Sequence, residues 1–340
     1  MDSYCFLVII VVMGFSCFQA DQALSSQNLP CNINDIKALQ DFMTGFKTMI
    51  HGWSTNYTSD CCKWTGITCS FSSSLGLDNS TETAGRVVKL ELPKKKLAGT
   101  LSESIGTLDQ LKVLNLSLNF LQGSLPLPLF HLRNLQVLDL SSNDFSGPVP
   151  NTIFLPSIQI LGLSQNSLKG NLPVSICDHA STLLVLKTTS LFFVAHSNNF
   201  TGSIPSSLTN SYTLTVLNIR NNSLEGSVDL NCSAMVSLTS LDLGSNRLSG
   251  PILDNLPSCG RLNNINLARN TILRHCKNLT TWVLPGNFQN EELSADSTLH
   301  FHKLKILVIA NCRLTGSIPY PHNLGGFRER NSPSLKLQLT

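Results

Sequence analysis

The chain has 340 residues, of which 42% are hydrophobic and 13% are charged, and its formal net charge is +3. For an ordinary chain this length would suggest two or three globular domains, but internal repeats override that expectation. The charge is small and the Lys and Arg residues are scattered, so the composition gives no support for nucleic acid as a partner, and none is expected.

Residues 1–20 are predicted to be a secretory signal peptide. They contain an apolar run from Cys5 to about Phe15, which is too short to span a bilayer comfortably and is placed like the hydrophobic region of such a peptide. The residues before it are unusual because they include Asp2 and no Lys or Arg. We expect cleavage between Ser16 and Ala23, entry into the secretory pathway, and an extracellular or cell-surface location. No later segment approaches 18 consecutive apolar residues, so no transmembrane helix is expected in this chain.

Secretion gives meaning to the glycosylation sequons of the chain. Seven Asn-x-Ser/Thr sequons are candidate glycosylation sites: Asn56, Asn79, Asn115, Asn199, Asn221, Asn231 and Asn278. Such triplets also arise by chance, and we expect only some of them to be occupied.

Residues 24–86 are predicted to form an N-terminal cap. Apolar residues recur there at helical spacing, after Asn and Asp residues suited to a helix N-cap: Ile36, Leu39, Phe42, Met43 and Phe46. A capping unit is expected because the first repeat of a solenoid would otherwise expose its apolar end to water.

Four cysteines of the cap are expected to form two disulfides in an oxidising compartment: Cys31, Cys61, Cys62 and Cys69. The adjacent Cys61 and Cys62 are poor partners for each other on geometric grounds, which leaves two connectivities open. A zinc site is the competing interpretation. The cap lacks convincing ligand pairs beyond these cysteines, so no metal is expected there.

A repeat with a period in the twenties begins near Val87. Its clearest example runs from Leu214 to Arg261, where two consecutive blocks of 24 residues share Leu at positions one and four, Leu or Ile at six, Asn at nine, Leu at eleven and Gly at thirteen. On this pattern residues 87–319 hold about ten repeats, which begin at Val87, Leu111, Leu135, Ile158, Ser190, Leu214, Leu238, Leu262, Leu279 and Leu304.

The repeat pattern is interrupted in two places and then stops. The repeats near residues 183–189 and 271–278 are incomplete, and we expect strain or disorder at both joints. Residues 320–340 continue no repeat and are predicted to be a disordered tail. The basic run Lys94-Lys95-Lys96 falls where the first repeat turns away from its strand, and we interpret it as a solvated turn, with contact to an anionic partner as the alternative.

The pattern predicts an α/β repeat solenoid of the leucine-rich-repeat class. Positions one, four and six point into one continuous core, and the stacked strands form a parallel β-sheet on the concave face. The turn after each strand buries backbone groups that need partners. The asparagine at position nine can both donate and accept there, so a series of asparagines is expected to satisfy the turns of successive repeats.

Side chains at positions two, three, five, seven and eight are expected to project from the concave sheet. The most polar neighbourhood spans three adjacent repeats and gives the candidate ligand-binding residues: Asn218, Arg220, Asp242, Asn266 and Arg269. Arg220 suits an anionic group such as a sulfate, because its guanidinium presents a fork of donors. The competing interpretation is that any concave sheet surface must be polar. A glycan on the sequon at Asn221 would crowd Arg220.

Phe192, Val194 and His196 lie on the same predicted face, next to the first interrupted repeat. They are either an apolar binding patch or a consequence of misregistered packing, and we favour the second explanation.

Four cysteines of the repeats are expected to be buried free thiols: Cys177, Cys232, Cys259 and Cys276. A Cys232–Cys259 bridge is the alternative.

Catalysis finds no support in the sequence. No Ser, His and acid trio has the spacing of a known motif, and no glycine-rich loop followed by lysine offers a phosphate cradle. His300 and His302 flank Phe301 and could chelate a metal, but a turn between repeats explains them equally well. We therefore expect a protein that is not an enzyme and has no cofactor and no catalytic metal.

Several segments closely resemble the plant phytosulfokine receptors, which are leucine-rich-repeat receptor kinases for a small tyrosine-sulfated peptide hormone. They include DCCKWTGITC, LNIRNNSLEGSVDLNCSAM, HCKNLTT and LHFHKLKILVIANCRLTGSIP, and the match runs in order from about Cys31 to Pro319. The resemblance implies the cap pairing Cys31–Cys61 with Cys62–Cys69 and a right-handed superhelix.

The same resemblance implies partners and contact residues. Arg220 and Asn266 resemble hormone-contacting positions of the family, whereas Pro285 stands where the family has a contacting threonine. The implied ligand is a sulfated peptide hormone or another peptide or protein, with a co-receptor kinase ectodomain as a second partner.

Family members continue with further repeats, an island segment, a transmembrane helix and a kinase, none of which we recognise in this sequence. The sequence therefore predicts an extracellular recognition module that is truncated before those parts. Two alternatives stay open: a secreted leucine-rich-repeat inhibitor of a foreign protein, and a non-functional truncated product.

Overall fold

The structure is a computed structural model. It describes residues 31–56, 59–71, 84–177, 190–251, 259–267, 269–273, 281–283, 289–292, 306–308 and 313–315, and only the backbone from residue 271 onward. The predicted signal peptide, the predicted tail, the sequons at Asn79 and Asn278, and Cys276 and Cys312 lie outside the described residues.

The cap is built on one amphipathic helix, α1, at Ile33–Thr44. The side chain of Asn32 caps it by accepting a hydrogen bond from the backbone N–H of Asn34. Its buried face places Leu39 and Phe42, both fully buried, against the first repeats. The predicted helix and its N-cap are therefore confirmed.

The cap continues through a short 3₁₀ helix at Cys61–Lys63 into strand β1, Ile67–Ser70, which pairs antiparallel with β2, Arg86–Glu91. The structure joins Cys31 to Cys61 and Cys62 to Cys69, which is the pairing that the resemblance implies. Among the described residues these cysteines form the one group of three or more candidate metal ligands, and their sulfurs are bonded to each other.

An aspartate of the cap also ties α1 to the first repeat. Asp35, which is 1% exposed, accepts hydrogen bonds from Nε and Nη2 of Arg86 at 3.1 Å each and from the backbone N–H of Val87 at 2.8 Å. Arg86 also donates to Asp109 in the next repeat. One buried carboxylate thus links the cap to the solenoid.

The solenoid has a concave sheet, in which every described pairing beyond β2 is parallel. After β1 and β2 its strands are β4 Val113–Asn115, β6 Val137–Asp139, β8 Ile160–Gly162, β10 Leu191–Val194, β12 Leu214–Asn218, β14 Ser240–Asp242, β16 Asn264–Asn266, β18 Thr281–Val283 and β20 Ile306–Val308. The residues at position four are almost fully buried, as predicted: Leu114, Leu138, Leu161, Phe193, Leu217 and Leu241.

A second parallel sheet forms where the turns leave the first. Its strands are β3 Ala98–Thr100, β5 Phe120–Gly123, β7 Asp144–Pro148, β9 Ser167–Asn171, β11 Asn199–Gly202, β13 Ser223–Gly226, β15 Arg247–Pro251 and β17 Thr271–Leu273, and a separate pair is β19 Gln289–Glu292 with β21 Arg313–Thr315. Short helices follow several of these strands: 3₁₀ helices at Glu103–Thr107 and Leu127–His131, and α2 at Ser206–Thr209.

The asparagines at position nine satisfy the turns between the two sheets. Asn119 accepts from the backbone N–H groups of Lys95 and Leu97, and its Nδ2 donates to the carbonyl oxygens of Leu92 and Leu116. This link between successive repeats, here called the asparagine ladder, recurs at Asn143, Asn166, Asn198, Asn222, Asn246 and Asn270. The prediction for these residues is confirmed.

The structure corrects the start of one repeat. We expected Ser190 at its first position, but Ser190 is exposed, and the buried Leu191 aligns instead with Leu214 of the next repeat. Residues 178–189 before it are not described, yet β10 still pairs with both β8 and β12. The concave sheet therefore continues across the first interrupted repeat.

A second correction concerns the cysteines of the repeats. Cys232 and Cys259 are buried and disulfide-bonded, whereas we favoured free thiols there. The two residues belong to successive repeats, so the bridge ties one repeat to the next. Stacking brings equivalent ends of the repeats together, which the separation of 27 residues in the sequence does not reveal.

Candidate functional site

Three neighbouring strands of the concave sheet carry polar residues at position five. Asn218 on β12, Asp242 on β14 and Asn266 on β16 are directly paired in register, and all three side chains are half-buried. Since adjacent strands lie about 4.8 Å apart, these side chains stand next to one another on one surface. The structure therefore brings together three of the five predicted contact residues.

Arg220 lies two residues beyond Asn218, at position seven. Its side chain is 52% exposed, and its Nε lies 3.8 Å from a carboxylate oxygen of Asp242. The backbone N–H of Arg220 donates to Oδ1 of Asn218 at 3.4 Å. A half-exposed ion pair of this length adds little to stability.

Asp242 is held from several sides. Burial raises the pKa of this carboxyl above its ordinary value, while the backbone N–H of Gly244 and the charge of Arg220 oppose that increase. The Gly244 N–H donates to Oδ1 of Asp242 at 3.1 Å. A Cβ at position 244 would lie 2.8 Å from Nδ2 of Asn266, so the glycine leaves the space that the Asn266 amide occupies. From the sequence alone we did not single out Gly244.

His196 joins the same neighbourhood. Burial and then the positive charge of Arg220 lower the pKa of His196, and the carboxylate of Asp242 partly opposes them. From the sequence we grouped His196 with an apolar patch and missed this relation. The signal was present, because His196 and Arg220 both occupy position seven of consecutive repeats. We call His196, Asn218, Arg220, Asp242 and Asn266 the polar cluster.

An apolar strip lies beside the polar cluster, at position three of the strands. Phe192 pairs in register with Ile160 on one side and Val216 on the other, and Val137 and Val113 extend the strip. Phe192 is 38% exposed and Ile160 is 40% exposed. The register between β10 and β12 shifts between Leu191 and Phe192, so the misregistered packing that we favoured is present at this step, whereas Phe192 to Val194 pair with both neighbouring strands.

Arg269 is placed differently from the other candidates. It is exposed in the turn after β16, with φ of 56°, and so lies at the margin of the sheet. Asn221 takes the same left-handed turn position in the repeat that carries Arg220. The Nδ2 of Asn221 donates to Oγ of Ser197 at 3.2 Å.

Four of the described sequons are exposed: Asn56, Asn199, Asn221 and Asn231. The fifth, Asn115, is half-buried on β4.

Comparison with known proteins fits this architecture. Residues 32–70 match the leucine rich repeat N-terminal domain, and residues 134–154 and 237–259 match the Leucine Rich Repeat family. Phytosulfokine receptor 1 of Arabidopsis thaliana is 37% identical over an alignment that covers 93% of this chain. The chain is therefore similar to plant leucine-rich-repeat receptor kinases over most of its own length. It spans 42% of the length of phytosulfokine receptor 1.

Solved structures of leucine-rich-repeat ectodomains extend the comparison. The crystal structure of PEPR1-AtPEP1 matches with a TM-score of 0.62 and 26% identity, over 85% of this chain and 43% of that one. The Arabidopsis receptor kinase HAESA, solved with the peptide hormone IDA and the co-receptor SERK1, matches with a TM-score of 0.52 and 26% identity, over 65% of this chain and 33% of that one. Within the described residues of our chain, no helix has the length and apolar character needed to cross a membrane.

Proposed function

We propose that this chain is an extracellular recognition module whose concave sheet binds a short peptide carrying an anionic group. The single observation that supports this function most is the placement of Arg220. Its half-exposed guanidinium lies 3.8 Å from the carboxylate of Asp242, in the same repeat as Val216 of the apolar strip. A sulfated peptide hormone is the ligand class that we propose.

The chemistry of Arg220 suits such a ligand. A guanidinium has five N–H donors in a planar fork, which matches two oxygens of a sulfate or carboxylate. The long contact to Asp242 involves Nε, at 3.8 Å, and an exposed pair of this kind is readily exchanged for a ligand contact. Phe192 and Val216 lie nearby for the apolar side chains of the same peptide.

The relatives give this proposal its biological setting. Phytosulfokine receptor 1 carries the name of the ligand phytosulfokine, and HAESA was solved together with a peptide hormone and a co-receptor. We propose by analogy that the natural ligand acts at the cell surface and that a co-receptor kinase ectodomain is a second partner. Signalling would then belong to a longer protein or to that partner, since no catalytic site is expected in this sequence.

Isothermal titration calorimetry with a tyrosine-sulfated pentapeptide and its unsulfated form tests the proposal. We expect Arg220→Ala to weaken binding of the sulfated form by about 10- to 100-fold, because a hydrogen bond to a charged group contributes about 1.5–3 kcal/mol. Arg247→Ala is the matched control, since Arg247 is an exposed arginine on the second sheet. Equal affinity for both peptides, or equal loss in both variants, would contradict the proposed function.

A further inference from the structure

The concave sheet carries a second charged group, three strands away from Asn218 and the neighbouring Arg220. Asp139 ends strand β6 and is linked by register to the polar cluster: Asp139 pairs with Gly162, Gly162 with Val194, and Val194 with Asn218. Three strand spacings of about 4.8 Å place Asp139 about 14 Å from Asn218, and Arg220 lies two residues beyond Asn218. Asp139 and Arg220 therefore have opposite charges at the two ends of one surface.

The carboxylate of Asp139 is fixed but not neutralised. Its Oδ1 accepts hydrogen bonds from the backbone N–H and the Oγ of Ser141, at 3.0 and 2.6 Å. Within the described part of the chain no Lys, Arg or His lies within ion-pair distance of it, and Oδ2 takes part in no hydrogen bond there. A half-buried carboxylate with one oxygen fixed in this way is a ready acceptor for a cationic group.

A glycine keeps the space between Asp139 and the apolar strip open. Gly162 is the residue paired with Asp139 on the next strand, and a Cβ there would lie 2.9 Å from Oδ1 of Asp139. Any other residue at position 162 would press on the carboxylate. Beyond Gly162, the surface consists of Ile160, Phe192 and Val194, which are at least partly exposed. The order of features across the surface is thus acidic, apolar and then basic.

We infer that this surface selects a dipolar peptide of four to five residues, with its amino terminus or another cationic group held by Asp139 and its anionic side chain held by Arg220. The inference rests on the proposed function and adds a direction and a length to it. An extended chain advances about 3.3 Å per residue, so about four to five residues span the three strand spacings and the further step from Asn218 to Arg220. The side chains between them would lie on Ile160, Phe192 and Val216.

The arrangement of charges favours one occupant over the alternatives. A purely anionic ligand would meet repulsion at Asp139, a purely cationic ligand would meet repulsion at Arg220, and a purely apolar ligand would leave the Asp139 carboxylate without a cationic partner. Lys112, at position two of the preceding repeat, is exposed, so solvent screens its repulsion of a cationic group held by Asp139. The matched ligand is therefore a peptide with one cationic and one anionic end.

Titration calorimetry with designed pentapeptides tests the inference. The probe is Gly-Ile-Phe-Ala-sulfotyrosine with a free amino terminus and a C-terminal amide, compared with its N-acetylated form and with a form that carries sulfotyrosine at the second residue. We expect acetylation and Asp139→Asn each to weaken binding about fivefold, as for a partly exposed ion pair. The two changes together should cost no more than either alone, since both remove the same contact.

Two controls separate folding from recognition. Asn at position 139 retains an oxygen that can accept from Ser141, and melting by circular dichroism checks that Asp139→Asn folds. Asp144→Asn removes an exposed carboxylate from β7 in the second sheet and should leave binding unchanged.

The outcomes distinguish this inference from the proposed function on which it rests. If Arg220→Ala weakens binding while acetylation and Asp139→Asn do not, the peptide site stands and the role of Asp139 is wrong. Equal binding of the form with sulfotyrosine at the second residue would overturn the inferred length. If Arg220→Ala leaves binding of every sulfated peptide unchanged, the proposed function and the inference fall together.

Discussion

Replacing Asn143 by alanine tests the physical role of the asparagine ladder. Asn143 is 7% exposed; its Oδ1 accepts from the backbone N–H of Leu121 at 3.0 Å, and its Nδ2 donates to the carbonyls of Leu116 and Leu140 at 3.0 and 3.1 Å. Both carbonyls have a second donor on the ladder, Asn119 for Leu116 and Asn166 for Leu140. The Leu121 N–H, in contrast, loses the acceptor that Asn143 provides.

The expected cost follows from this asymmetry. A buried polar group left without a partner costs about 1–3 kcal/mol, whereas a carbonyl that keeps one of two donors loses less. We therefore expect Asn143→Ala to lower the free energy of unfolding by about 2–3 kcal/mol. Asn151→Ala, which changes an exposed asparagine of the same repeat, should change it by less than about 0.5 kcal/mol.

Urea denaturation followed by circular dichroism measures the two free energies, and amide hydrogen exchange locates the effect. Exchange of the Leu121 N–H should accelerate more than that of amides several repeats away, because each repeat contacts only its neighbours. Equal stability of the Asn143 and Asn151 variants, or unchanged protection of Leu121, would refute the reasoning about the ladder.

Two further predictions concern the cap and the pH dependence of binding. Asp35→Ala should lower the free energy of unfolding by about 1–3 kcal/mol in urea denaturation, since it removes the acceptor of the Val87 N–H and leaves Arg86 with Asp109 as its remaining acidic partner. An effect below about 0.5 kcal/mol, as expected for Asp41→Ala on the exposed face of α1, would contradict this. The pKa of His196 is lowered below its ordinary 6.5, so His196 favours stability above pH 6.5, and this contribution is lost as pH falls through the lowered pKa. An anion on Arg220 offsets the positive charge that lowers this pKa, so the affinity for a sulfated peptide should rise as pH falls below about 6.5. Calorimetry at about pH 5.5 and about pH 7.5 measures this rise, and His196→Gln should remove it. A pH response that is unchanged in the variant would exclude His196 as its source.

Much of the fold could be predicted from local sequence. Leucines at fixed positions and the asparagine at position nine specify a strand, a turn and the link to the next repeat, because each contact joins residues about one period apart. The cap helix and its Asn32 N-cap are equally local. In the same way, the three residues Asn218, Asp242 and Asn266 could be aligned by counting 24 residues from one to the next.

Counting a fixed number of residues from one repeat to the next gave the wrong alignment where the repeat pattern is interrupted. Only the stacking of β10 between β8 and β12 places Leu191 rather than Ser190 in the core, while Phe192 keeps its place on the concave face in register with its neighbours. The Cys232–Cys259 bridge also depends on how two repeats stack.

The sequence by itself determined the repeat, the inward-facing residues and the polar character of the concave face near Arg220. Only the tertiary structure decided which side chains share an environment: His196 with Arg220 and Asp242, the Asn266 amide over Gly244, and the Asp139 carboxylate beside Gly162. The physical reason is that burial and charge depend on the distances between stacked strands. A repeat pattern specifies what each strand carries, but the register between strands specifies what each side chain meets.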